Sequence, residues 1–254
     1  MIYLKLFQNN TEYNAYTADT ANFIKPNVSL TVDNNTVHYN PYVDPYAGHE
    51  YVDLGLPSGT KWATMNIGAS QPSDYGLYFA WGDTQGYTAS QVGSGEGQKY
   101  FGWADYKYSN NGGSSASDMT KYNSSDGLVT LQASDDAVVT NWGGSWKMPT
   151  ETQFNELLNN SYCTNVWTGI TVGGTTVYGR LFTSKSNGNT LFFPAAGLCN
   201  DGSVNDVGGH GYYWSSSLYT SNVSRGWRLL FFSGDVVTNY GTRRGGYPVR
   251  GVVG

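Results

Sequence analysis

The sequence predicts an α+β fold of many short strands, two short helices and long ordered loops. Three observations carry that expectation. Glycine supplies 33 of the 254 residues, and Ser, Thr and Asn are abundant beside it, a composition suited to short strands joined by frequent turns. Hydrophobic residues make up 39% and charged residues only 13%, so the chain folds, with a core that leans on its 8 Trp, 21 Tyr and 10 Phe because Leu, Ile and Met are scarce. Two segments then carry helix-start signals ahead of apolar residues.

The first 45 or so residues differ from the rest. Asn27-Val-Ser-Leu-Thr-Val-Asp-Asn-Asn-Thr-Val-His-Tyr39 alternates apolar and polar residues on both sides of Asn34-Asn35, the pattern of a β-hairpin with a polar turn. Pro41, Pro45 and Gly48 follow as a linker. Residues 1–48 thus form an expected N-terminal hairpin segment, too short for a large core of its own. It is expected to pack on the main domain, 49–254, or on another subunit of a homo-oligomer.

In the main domain, Ser134 is the expected cap of a helix beginning at Asp135 and Asp136, whose carboxylates suit a helix N-terminus. Thr150-Glu-Thr-Gln153 has capping-box spacing ahead of Phe154, Leu157 and Leu158, an i, i+3, i+4 apolar face. Between them and the N-terminal segment, the Gly/Ser/Asn-rich stretch 84–127 carries Tyr100, Trp103, Tyr106 and Tyr108, which predicts an ordered excursion packed on the core.

After Leu191 the pattern is short strands and turns. Trp227, Leu229 and Phe231 alternate with Arg228, Leu230 and Phe232, so a strand sends the two sets to opposite faces. The first set suits a core. Leu230 and Phe232 in an outward row would mark an interaction site. A strand buried on both faces is the alternative, and Arg228 in the outward row weighs against it, because an unpaired buried guanidinium is costly.

From Asp201 to Gly254 the sequence has no Lys, Glu, Gln or Met, although Lys185, Glu156, Gln153 and Met148 precede it. Arg225, Arg228, Arg243, Arg244 and Arg250 lie here, among Tyr, Ser, Gly and Asn. That vocabulary is the one used by paratopes, where Tyr gives contact area at low entropic cost and Arg gives planar hydrogen bonding. A Gly/Tyr-rich β-domain whose turns favour these residues is the plainer alternative.

Several chemistries are disfavoured. The net charge is −5 and no Lys/Arg run exists, so no nucleic-acid partner is expected. Cys163 and Cys199 lack CxxC or nearby His partners, which leaves a disulfide or two buried thiols open, with thiols the expected state. His38, His49 and His210 are widely spaced and without a nucleophile motif. Gly93-Ser-Gly-Glu-Gly97 is not followed by Lys-Ser/Thr, so it is no phosphate loop. No run is long enough to span a membrane, and Met1 to Tyr13 lacks the apolar stretch of a secretory signal, so any action outside a cell is expected to follow another exit route.

Several motifs occur in order: Tyr51-Val-Asp-Leu-Gly-Leu-Pro-Ser-Gly-Thr-Lys-Trp-Ala63, Tyr75-Gly-x-Tyr-Phe-Ala-Trp-Gly82, Asn141-Trp-Gly-Gly-Ser-Trp-Lys-Met-Pro149, Pro194-Ala-Ala-Gly197, Gly211-Tyr-Tyr-Trp-Ser-Ser216 and Val249-Arg-Gly. They resemble the Fibrobacter succinogenes major paralogous domain, common in gut Bacteroidetes and their phages, over about residues 50–254. The resemblance implies a C-type-lectin-like fold of the formylglycine-generating-enzyme subclass. The C-terminal part further resembles the variable proteins of diversity-generating retroelements, with a variable region at about 204–250.

In such systems, adenine-directed errors rewrite chiefly Asn codons, which cannot yield Lys, Glu, Gln, Met or Trp. On that pattern the ligand-binding positions are His210, Tyr212, Tyr219, Arg225, Arg228, Leu230, Phe232, Asp235, Val237, Tyr240, Gly241, Thr242, Arg244, Gly245 and Tyr247. Trp214 and Trp227 would be scaffold, and Leu229, Phe231, Val236 and Val249 would hold the strands to the core.

The implied function is non-enzymatic receptor binding, by a phage tail protein in the virion or by a protein of the bacterial cell surface, toward a bacterial surface protein or glycan. Pro26-Asn-Val-Ser and Val37-His-Tyr-Asn-Pro41 resemble leaders of gut phage proteins. A fixed lectin-like adhesin and a formylglycine-generating-type oxidase are the alternatives; for the oxidase, both cysteines fall outside the matching motifs. No cofactor is expected, and the resemblance leaves a structural calcium open with no residues assigned.

Overall fold

A computed structural model of the chain describes residues 6–8, 11–13, 28–33, 36–41 and 46–254. The chain divides into two compact units, Met1–Asp44 and Pro45–Gly254. In the first, β1 (Leu6–Gln8) pairs antiparallel with β2 (Thr11–Tyr13), and β3 (Val28–Asp33) with β4 (Thr36–Pro41). Asp33 sits opposite Thr36, as the alternation around Asn34-Asn35 predicts; that dipeptide itself and the linker residues 42–45 lie outside the described residues.

The second unit is mostly strand with two short helices. Its elements are β5 (Tyr51–Asp53), β6 (Lys61–Asn66), α1 (Ala137–Trp142), α2 (Glu151–Leu158), β7 (Cys163–Val172), β8 (Thr175–Ser184), β9 (Thr190–Pro194), β10 (Leu198–Asn200), β11 (Ser203–Asn205), β12 (His210–Leu218), β13 (Arg225–Phe232), β14 (Val236–Thr242) and β15 (Arg250–Val253). They form three antiparallel three-stranded sheets, β15-β6-β5, β7-β8-β9 and β12-β13-β14, and a β10-β11 ribbon. The last strand, β15, pairs with β6, so the end of the second unit closes onto the start of that same unit.

Both helices are capped from the side chain. Thr150 and Gln153 make the reciprocal capping box of α2, which buries Phe154 and Leu157, with Leu158 half-buried beside them. For α1 the cap is Asp136 and not Ser134: its carboxylate accepts the N–H groups of Val138, Val139 and Met148 at 2.8, 3.1 and 2.8 Å. A carboxyl group that takes two helix N–H groups and a third from Met148 is a stronger cap than one hydroxyl, and Ser134 falls in the preceding 3-10 turn.

Asp135 does not serve the helix either. It is buried and takes Lys107 at 3.2 Å, Lys121 at 2.6 Å, and the hydroxyls of Tyr108 and Tyr122, both at 2.5 Å. Burial pushes its carboxyl up, but those hydrogen bonds and charges outweigh it and hold the group well below the usual carboxylate range. This hub fastens the 84–127 excursion, which is ordered as its aromatics predict. Phe101 and Tyr122 are fully buried in it at φ of 56° and 57°, a conformation that bulky residues seldom adopt. Asp105 and Asp126 hold them there by accepting their backbone N–H groups at 3.1 and 2.6 Å.

The core has two aromatic-rich clusters. One gathers Phe79, Trp81, Phe101, Tyr122, Trp146, Trp214 and Tyr247; the other gathers Trp62, Phe154, Phe182, Phe193, Tyr213, Leu229 and Phe231. Cys199 lies in the first and Cys163 in the second, both as buried free thiols. The β12-β13-β14 sheet runs between the clusters, with Trp214 facing one and Tyr213 the other. Strands that twist while crossing two cores are covered on different faces at their two ends, and that geometry positions the candidate site.

Candidate ligand-recognition face

Directly paired residues of an antiparallel sheet share a face. His210, Tyr212 and Trp214 of β12 lie opposite Phe232, Leu230 and Arg228 of β13, which lie beside Val237 and Asn239 of β14 through Leu230 and Arg228. Along this face exposure grows in one direction. Gly226 is buried, where a side chain would meet Trp81 at 2.7 Å; Arg228 and Leu230 are half-buried; Phe232 is 37% exposed. The outward row expected from alternation is therefore outward only at its Phe232 end.

The opposite face runs the other way. Phe231 and Leu229 are fully buried, whereas Trp227 and Arg225 are half-buried. Trp227 is thus no fully buried scaffold residue: it packs edge-on against Tyr219 at 5.2 Å and lies 6.4 Å from Tyr240. Tyr219 and Tyr240 stack at 4.2 Å, and the Arg225 guanidinium sits 4.8 Å over the Tyr240 ring. Thr242 is exposed and pairs with Arg225.

The fifteen sequence-derived positions consequently do not form one patch. His210, Tyr212, Arg228, Leu230, Phe232, Val237 and Tyr247 gather on the first face. Tyr219, Arg225, Tyr240 and Thr242 gather on the second, at the other end of the strands. Asp235 is exposed in the β13–β14 turn. Arg244 stands apart, gripping Asp201 through both Nη atoms at 2.7 and 3.0 Å and the Phe101 carbonyl at 2.7 Å.

On the first face Arg228 is the hub. Its Nε donates to Asn239 Oδ1 at 2.9 Å and its Nη1 to the Tyr247 hydroxyl at 2.7 Å. Its guanidinium lies 4.7 Å from the Tyr212 ring and 5.1 Å from that of Tyr247. Tyr212 stacks on Tyr247 at 5.6 Å and on His210 at 6.0 Å, and His210 lies 5.5 Å from Phe232.

Tyr247 and Tyr212 are the floor of this arrangement and not its rim. Tyr247 is 4% exposed, pressed on Trp214 at 4.1 Å, and Tyr212 is 8% exposed. The open surface is His210, Leu230, Phe232 and the accessible part of Arg228. Gly241 and Gly245 are buried for the same reason: a side chain at 241 would come within 2.6 Å of the Tyr247 hydroxyl, and one at 245 within 3.1 Å of its ring.

Two members were missed at the sequence level. Asn239 shares the period-two row with Val237 and orients Arg228, so alternation alone was signal enough. Asp206 accepts the Tyr212 hydroxyl at 2.9 Å from the loop before β12, and nothing in the local pattern marks it. Burial, then the Asp206 carboxylate, push the Tyr212 hydroxyl up, and burial does the same to Tyr247 against the opposing Arg228 charge. At neutral pH the two phenols are therefore uncharged beside the Arg228 guanidinium.

A cleft of about 390 Å3 lies elsewhere, between His49, β6 and the end of α1, and holds none of these positions. Among the described residues no group of three or more His, Cys, Asp or Glu side chains is placed to hold a metal, and no helix is long and apolar enough to cross a membrane. No protein-family model, curated protein or solved structure matches the chain.

Proposed function

We propose that this chain is a non-enzymatic receptor-binding protein on a C-type-lectin-like scaffold, a retroelement-diversified member of the Fibrobacter succinogenes major paralogous domain family. In this reading it is a phage tail protein in the virion, and its ligand is a protein or glycan of a bacterial surface. The observation that carries the proposal is the recognition face itself: Arg228, Leu230, Phe232 and His210 lie together over an aromatic floor, backed by the buried Leu229 and Phe231. The exposed Phe232 end of such a row exchanges side chains with least disturbance to the core behind it.

The cysteines support a non-catalytic role. Burial pushes the Cys199 thiol up to about 12 and raises Cys163 as well, so both stay protonated at neutral pH and lack the thiolate that nucleophilic chemistry needs.

The expected test is cell binding. The labelled chain is incubated with a panel of gut Bacteroidetes strains, and on any strain that retains it, Arg228→Ala and Phe232→Ala are expected to weaken retention roughly tenfold or more while each chain stays folded, with melting temperature lowered by no more than about 6 °C. Retention untouched by both changes would refute the proposed face.

A fixed lectin-like adhesin is a second reading, favoured by the interlocking of Tyr212, Tyr247, Gly241 and Gly245, where most replacements would collide or leave a gap. Sequencing sibling loci separates the two: differences concentrated at the open residues, matching adenines of a nearby repeat, support diversification, whereas differences spread evenly over residues 50–254 support the fixed adhesin.

A further inference from the structure

Three arginines are more than nine-tenths buried: Arg180, Arg243 and Arg250. Arg243 donates to four acceptors, the Tyr106 hydroxyl and the carbonyls of Tyr122, Val223 and Lys121. Arg250 likewise donates to Asn66 Oδ1 and the carbonyls of Ala63, Thr64 and Phe192. Arg180 donates to none. Its Nε is enclosed without a partner, whereas its Nη atoms, which have no acceptor among the described residues, are not enclosed and so stay open to the surface. Burying a guanidinium without acceptors is costly; Arg243 and Arg250 have four acceptors each, which leaves Arg180 as the buried guanidinium with room for an acceptor from outside.

The surroundings say what kind. In the β7-β8-β9 sheet Arg180 lies directly between Trp167 and Phe193. Phe193 belongs to the core, while Trp167 is half-buried and rests edge-on against Phe231. One step outward on the same face stands Tyr178, 48% exposed, its ring parallel to that of Trp167 within 2° at 6.2 Å. Gly169 lies opposite Tyr178, and a side chain there would meet the ring at 3.3 Å, so the glycine leaves the ring room to lie flat. The result is an aromatic shelf of two parallel rings, open at Tyr178, beside the Arg180 guanidinium.

We propose that this corner is a binding subsite for an acidic sugar, with the pyranose ring on the Trp167–Tyr178 shelf and its carboxylate paired to Arg180. A guanidinium takes a carboxylate through two parallel hydrogen bonds, and the apolar C–H face of a pyranose buries well against flat rings. Asp235, in the β13–β14 turn, is the carboxylate whose charge reaches Arg180, opposing the downward pull of burial on the guanidinium. Its negative charge disfavours a dianionic phosphate more than a singly charged carboxylate. The subsite uses none of the open side chains of the proposed recognition face, although the Asp235 carbonyl accepts the backbone N–H of Phe232 at 3.0 Å.

The test is calorimetric titration of the full chain with trigalacturonate, with the neutral galactose trisaccharide and with acetate. Trigalacturonate is expected to bind, with the neutral sugar and acetate each roughly 10- to 100-fold weaker, the range of one charge-assisted pair. Arg180→Gln is expected to erase the preference for the acid, Tyr178→Ala to weaken both sugars, and Asp235→Asn to tighten the acid. Arg228→Ala and Phe232→Ala are expected to leave all three titrations unchanged, so this subsite and the recognition face fail or stand separately.

No binding of trigalacturonate, an Arg180→Gln chain that keeps its preference, or acetate binding as tightly as the sugar acid would each overturn the proposal. So would an acidic peptide that outcompetes the sugar. Should Arg180→Gln not fold, the exposed changes decide: Tyr178→Ala and Asp235→Asn without effect on trigalacturonate overturn it as well.

Discussion

Arg243 and Arg228 are fifteen positions apart, and both stand among tyrosines, yet they do opposite things. Arg243 is fully buried, within 6 Å of the rings of Trp81, Tyr106, Tyr108 and Tyr122, with four hydrogen bonds to fixed acceptors. Arg228 touches two rings, makes two hydrogen bonds and keeps part of its guanidinium at the surface. The same pair of residue types thus builds a structural rivet in one place and the proposed recognition surface in another. Spare donor capacity at an accessible position separates the two, and composition does not.

The sharpest way to break that contrast is to remove the rivet. Arg243→Met leaves the carbonyls of Lys121, Tyr122 and Val223 without their donor and is expected to cost about 3–5 kcal/mol, comparable to Trp214→Ala in the same cluster. Thermal unfolding would read both, and a loss under about 1 kcal/mol for Arg243→Met would remove its structural role.

Acid probes the same region. The carboxyl of Asp135 is depressed in the folded state, so its contribution to stability is complete above the ordinary value of 3.8 and is lost progressively as pH falls below it. Asp135→Asn is expected to lower stability at pH 7 and to flatten the dependence below pH 4. Melting curves across that range decide, and an unchanged slope would place the acid sensitivity elsewhere.

Smaller effects sharpen the contrast at the other cluster. Tyr247→Ala removes a ring packed on Trp214 and is expected to cost about 3 kcal/mol. Tyr247→Phe keeps the ring and removes only the partner of Arg228 Nη1, for about 1 kcal/mol. Phe232→Ala, at the exposed end of the row, is expected to stay under about 1 kcal/mol. Chemical denaturation measures all three, and a reversed order would mean that the floor and rim are misassigned.

Much of this was legible in the sequence. The α2 capping box, the β3–β4 register and the inward set Leu229 and Phe231 follow from local rules, because caps and alternation are decided by near neighbours. The loss of Ser134 to Asp136 turned on a long-range donor, the N–H of Met148, that no local window contains. Trp227 was misjudged because alternation assigns a face and not a depth: the two core clusters cover opposite faces at opposite ends of β13. Arg180 is not legible in the sequence, since an unpartnered guanidinium can be recognised only once every neighbour is in place.

The central claim is that the open row of the recognition face is free of the core behind it, and thermal unfolding of two multiple variants tests it most directly. Arg228→Ser, Leu230→Ser and Phe232→Ser combined are expected to lower Tm by no more than about 6 °C, whereas Leu229→Ala with Phe231→Ala is expected to lower it by upwards of about 10 °C or to prevent folding. An outer triple variant as unstable as the inner pair would contradict the account.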